Sequence, residues 1–228
     1  MRHSQFVSIL GLVLASLVIS GCESKEESRL AKAQKCLDQA VPSTAAACSE
    51  IVAGIENEKA YLIRCSALYI DNQFVGDRVT RAFELLKNNP SGGQDPMMTT
   101  LALMAFRTTD ESNLALNYCT RSGVRSLERL ATMTSMATFI AVNGGIGAIP
   151  AEGLTAGQIA SAVSNLLASP NATTDAQLGQ LVVQAEAAFC GEGSSFKNNA
   201  VCQNLSTAVQ SGTPAQVGRE LLQQLQQN

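Results

Sequence analysis

Tryptophan is absent from the 228 residues, aromatics amount to only 4%, and charged side chains to 15%. A core must therefore be built from Ala, Leu, Val, Ile and Met. The 46% hydrophobic share supplies enough apolar surface for one and is too high for a disordered chain. Histidine occurs once, at His3. A chain cleaved beyond that residue has no imidazole, which excludes Ser–His and Cys–His nucleophilic sites, imidazole metal centres and histidine-ligated haem. None of the seven cysteines forms a C-x-x-C pair, which argues against a zinc site or a dithiol redox motif. Basic runs and interleaved aromatics are also missing, so nucleic acid is not an expected partner. No cofactor or metal is expected.

The N-terminus has a distinct organisation. Arg2 precedes an apolar run from Phe6 to Ile19 that is short for a bilayer span, in the manner of a secretory signal over residues 1–21. The run ends in Leu17-Val18-Ile19-Ser20-Gly21-Cys22, an aliphatic residue and two small ones before a cysteine. This segment resembles the lipobox of bacterial lipoproteins. The resemblance implies that Cys22 becomes the acylated mature N-terminus, anchoring the chain to a membrane. Glu23 stands where many inner-membrane lipoproteins have Asp, which in a Gram-negative cell implies the outer membrane, facing the periplasm. Loss of Arg2 with the signal would leave 15 basic against 19 acidic side chains, so the anchored part is acidic.

Beyond Cys22 six cysteines remain: Cys36, Cys48, Cys65, Cys119, Cys190 and Cys202. An even number in an exported chain suggests disulfides. Cys36 and Cys48 lie six residues either side of Pro42, so an antiparallel helical hairpin would place them side by side. Cys190 and Cys202 flank the loop beginning Gly191-Glu192-Gly193, and Cys65–Cys119 then follows by elimination. A competing pairing, Cys36–Cys65, comes from a weak 29-residue recurrence of Ala-x-x-x-basic-Cys.

Helix signals dominate the rest. Ser24 and Glu27 form a capping box, as do Thr155 with Gln158, Thr174 with Gln177, and Thr213 with Gln216. Apolar residues recur at helical spacing, no alternating strand is visible, and the reading is an all-α protein of nine to eleven helices. Pro42 is read as ending the first helix, and Met97 to Arg107 as one helical stretch. The division is a signal peptide over 1–21, helical hairpins over 22–121 and a second helical region over 122–228, the two regions forming one compact unit with disulfides stapling the hairpins. Tyr69 and Pro90, with Ala82-Phe83-Glu84-Leu85-Leu86 between them, resemble a tetratricopeptide unit around residues 58–90, which implies a repeat-like first half. Arg78 falls where that family has a small residue.

Three local patterns invite functional readings and fail on chemistry. Asp71 to Gly76 begins like a calcium loop but has Val75 and Ala82 where oxygen donors belong. Gly145-Ile146-Gly147 follows a helix and leads to Pro150, unlike a phosphate loop. Leu130 to Ala151 carries no charge, yet its Thr, Ser and Gly content suits a helix buried among others better than a membrane span. Carboxylates such as Glu56, Glu58, Asp110 and Glu111 sit near helix ends without forming an evident acid–base pair. The expectation is a non-enzymatic, lipid-anchored helical scaffold or adaptor that binds a protein or peptide in the periplasm. The alternative is a binder of an apolar small molecule or lipid beside Phe139.

Overall fold

In this computed structural model the Ser24 hydroxyl accepts the Glu27 N–H, and the Glu27 carboxylate accepts the Ser24 N–H in return. That reciprocal cap starts the first helix at the beginning of the described residues, which are 24–74, 76–87, 96–191 and 194–227. Among them are eleven α-helices and no strand. The helices are α1 (Lys25–Asp38), α2 (Pro42–Glu50), α3 (Glu58–Asp71), α4 (Asp77–Lys87), α5 (Pro96–Met104) and α6 (Thr109–Arg121). They continue as α7 (Arg125–Asn143), α8 (Ala156–Ala168), α9 (Ala172–Cys190), α10 (Ala200–Val209) and α11 (Pro214–Gln227). The signal segment, Cys22 and Pro90 lie outside the described residues.

Side-chain caps explain most of the helix starts. Asn57, Thr108, Thr155, Asn171 and Asn199 each accept a backbone N–H from the first turn, satisfying donors that a helix leaves orphaned. Two sequence expectations are corrected. Thr174 is not a cap: it lies inside α9, whose cap is Asn171, because the Asn171 carboxamide already takes the Thr173 and Thr174 N–H groups. Pro42 does not end α1, which stops at Asp38, but opens α2, where its missing N–H costs nothing.

A small cluster joins α1, α2 and α3 through Leu30, Leu37, Cys48 and Ile63, with Val52 and Ile55 from the turn after α2. The main core is continuous from Cys65 in α3 to Leu225 in α11, across the 121/122 junction. At its centre stands α7, packed against α5, α6, α8 and α9, with every residue from Leu130 to Ala141 buried. Its buried hydroxyls are all engaged, Ser135 with the Asn113 carboxamide oxygen at 3.5 Å. Thr132 and Thr138 donate to carbonyls one turn back, Thr134 bonds the Tyr69 hydroxyl, and Thr138 also accepts the Phe106 N–H. Partnered in this way, they carry little of the penalty of burying a polar group. Among the described residues no helix is long and apolar enough to cross a membrane.

Arg78 corrects the helix expected over Met97 to Arg107. Its guanidinium donates to the Leu103, Ala105, Asn72 and Ala151 carbonyls at 2.7–3.1 Å. Two of those acceptors sit at the C-terminal end of α5, where a cation is favoured by the helix dipole. The helix ends at Met104, and the chain can leave it because Arg78 and Thr138 take its freed backbone groups. Burial pushes the Arg78 guanidinium down to about 10, opposed by the nearby Glu152 charge, so it remains a cation at neutral pH. Where the tetratricopeptide pattern has a small residue, this stretch instead packs around a buried arginine.

Three disulfides staple the fold: Cys36–Cys48 between α1 and α2, Cys65–Cys119 between α3 and α6, and Cys190–Cys202 between α9 and α10. Their Cα separations are 5.5, 5.1 and 5.5 Å, within the range that a disulfide bridges.

Candidate functional site

The residues singled out in the sequence are placed mostly as structure. The six paired cysteines are spent on staples, all of them buried except Cys36. Among the described residues no group of His, Cys, Asp or Glu is arranged to hold a metal. The Asp71–Gly76 stretch is a connector, with the Asp71 carboxylate paired to Arg107 and the Asn72 amide bonded within the fold. Glu111 also pairs with Arg107, at 2.8 Å. Gly144, beside the rejected phosphate-loop pattern, caps α7 with its backbone against Ala162.

The largest groove described, about 650 Å³ and open to solvent, involves residues that the sequence reading did not single out. Its floor is the first two turns of α7, and its walls are the end of α6 and the end of α9. Three arginines line it, Arg121, Arg125 and Arg129, with Glu128 as the opposing charge. Asn117, Thr120 and Gln184 add neutral polar atoms, while Leu116, Ala187 and Ala188 add apolar surface.

Two of the arginines are held in place by the fold. Arg121 stacks on the Tyr61 ring at 4.0 Å and donates to Glu56 at 3.2 Å. Tyr61 is itself fixed by its hydroxyl bond to Glu56 and lies near Tyr118, with Arg64 over both rings. Arg129 donates through Nε to the Ala188 carbonyl at 2.7 Å, near the negative end of the α9 dipole. Its terminal amino groups, and the whole Arg125 guanidinium, have no partner among the described residues. Pre-positioned guanidinium forks with unused donors bind carboxylates or phosphates at little cost in side-chain entropy.

A sequence signal existed. Arg121, Arg125 and Arg129 recur every four residues across the Ser122-Gly123 turn. On sequence alone that spacing is equally a solvated helix face. Two smaller grooves are also present. One, about 510 Å³ between α1 and α3, has Leu30, Leu62 and Ile63 with Glu27 and Lys59. The other, about 200 Å³, is lined by Asn143, Asn165 and Asp175 among others. Phe139 lines none of the three. The chain matches no protein-family model, no curated protein and no solved structure.

Proposed function

We propose that this chain is a lipid-anchored helical adaptor, attached through Cys22 to the periplasmic face of the outer membrane, and that a protein partner docks in the groove formed by α6, α7 and α9. The observation that carries the docking site is the set of three arginines, two braced by the fold and two with donors left open, on a chain that is otherwise acidic. The lipobox-like sequence supports the anchor, with Ser24 capping α1 only two residues after Cys22. Charged grooves of this kind steer a complementary partner and set its register more than they add raw affinity.

The apolar-ligand reading has less behind it. Phe139, its expected pocket wall, is buried in the main core, and the largest groove described is lined by arginines. A photo-crosslinking residue at Asn117, introduced into cells of the source species, tests the adaptor reading. A discrete crosslinked protein in the membrane fraction is expected from position 117 and not from exposed Gln203 on α10. No crosslinked protein, or the same products from both positions, would overturn it.

A further inference from the structure

Resting on that reading of the groove, we propose that the segment it receives is an acidic, amphipathic stretch of the partner protein, with carboxylates meeting the arginines and aliphatic side chains meeting the apolar walls. Charge gives the first argument. Three guanidinium groups face one carboxylate at the groove, and Arg125 has no partner among the described residues. The arginines are also spread out. Arg121 is tied towards α3 by Tyr61 and Glu56, whereas Arg129 is tied to the end of α9. Cations drawn towards opposite sides of the groove match several carboxylates along a chain better than the single charged centre of a phosphate or a lipid headgroup.

Apolar surface gives the second argument. Leu114 and Val183 are 45% and 42% exposed, two of only four large hydrophobic side chains described as exposed. Leu114 precedes Asn117 and Arg121 by three and seven residues on α6, and Val183 precedes Ala187 by four on α9. At helical spacing these positions extend the two faces that wall the groove. A fully hydrated anion has no use for them. A peptide carrying aliphatic residues beside its carboxylates covers both, as acidic motifs do on arginine clusters.

The test uses the full chain in neutral phosphatidylcholine nanodiscs, with empty discs as background. Two labelled peptides are compared by fluorescence anisotropy: a short amphipathic one of Glu and Val, and the same peptide with every Glu replaced by Gln. The Glu peptide should bind more tightly by roughly tenfold, and its affinity should fall as salt is raised. Arg125→Gln breaks no bond within the fold and should lose most of that difference without changing the melting temperature. Leu114→Ser should weaken both peptides. Equal binding of the two peptides, or unchanged binding by Arg125→Gln, overturns the proposal. So does displacement of the peptide by inorganic phosphate or phosphatidylglycerol vesicles at concentrations below its own Kd. Mapping the segment crosslinked at position 117 separates this proposal from the adaptor reading. A neutral or basic segment defeats the acidic occupant and leaves the adaptor standing, an acidic amphipathic one supports both, and no crosslinked protein defeats both.

Discussion

Gly179 and Gly218 meet where α9 crosses α11, so closely that neither helix has room for a Cβ at the crossing. A Cβ on Gly179 would lie 1.8 Å from the Pro214 carbonyl oxygen, and one on Gly218 would lie 2.1 Å from that of Asp175. The obstacles are backbone atoms, which cannot swing aside as a flexible side chain can. The contact brings the C-terminal helix against α9, where Leu221, Leu222 and Leu225 help to close the main core.

Gly179→Ala should therefore destabilise the protein although alanine is the better helix former. Overpacking typically costs about 1–3 kcal/mol, and a backbone obstacle puts this case at the upper end. Gly157→Ala is the control, because a Cβ there meets nothing nearer than the Thr155 hydroxyl at 4.0 Å. It should stabilise α8, by less than the roughly 0.5–1 kcal/mol of a helix interior because Gly157 lies in the first turn. Urea unfolding of the two variants checks both signs, and a Gly179→Ala midpoint at or above wild type would refute the account of the crossing.

Arg78→Met should cost at least about 3 kcal/mol, since it strips donors from four carbonyls drawn from three separate stretches of chain. Arg78→Lys should recover little of this. One ammonium cannot reproduce the planar fork that reaches Leu103, Ala105, Asn72 and Ala151 together. Thermal melting of both variants decides it, and a lysine variant close to wild type would show that charge alone matters there.

Non-reducing peptide mapping should return Cys36–Cys48, Cys65–Cys119 and Cys190–Cys202 as the linked pairs. The local pairs span 12 residues each, for which chain entropy suggests roughly 3 kcal/mol apiece; the 54-residue Cys65–Cys119 span suggests roughly 4 kcal/mol. Replacing both Cys65 and Cys119 by alanine should therefore lower stability most. A Cys36–Cys65 peptide would contradict the pairing.

Cys22→Ala should leave an unprocessed precursor and abolish labelling by a palmitate analogue, as expected if Cys22 carries the anchor. Labelling that persists in this variant would remove the lipoprotein part of the proposed function.

Much of the fold was legible in the sequence because it depends on interactions a few residues apart. Ser24 with Glu27 and Thr155 with Gln158 are reciprocal caps three residues apart, and the structure has both. Cys36 and Cys48 flank a turn between consecutive helices, so short-range geometry was enough to bring them together. The uncharged run from Leu130 could be read as a core helix because its hydroxyls can bond carbonyls one turn back, as Thr132 and Thr138 do. Competition at short range also produced a miss: Thr174 looked like a cap, but Asn171 caps the helix three residues earlier, taking the Thr173 and Thr174 N–H groups and leaving Thr174 inside α9.

Tertiary structure decided what depends on distant segments. Arg78 is an ordinary basic residue until α3, α5 and the chain near Ala151 converge on it. The candidate site has the same character. Arg121, Arg125 and Arg129 show only a one-turn spacing in the sequence, and nothing local says that Tyr61 will brace one of them or that Ala188 will hold another. Those partners lie about 60 residues away and arrive through the packing of α3 and α9 around α6 and α7. Local hydrogen bonding and apolar spacing determined that this chain is helical and where most helices begin. Which polar side chains are buried as clamps, and which remain open to meet a partner, was settled only when the helices packed.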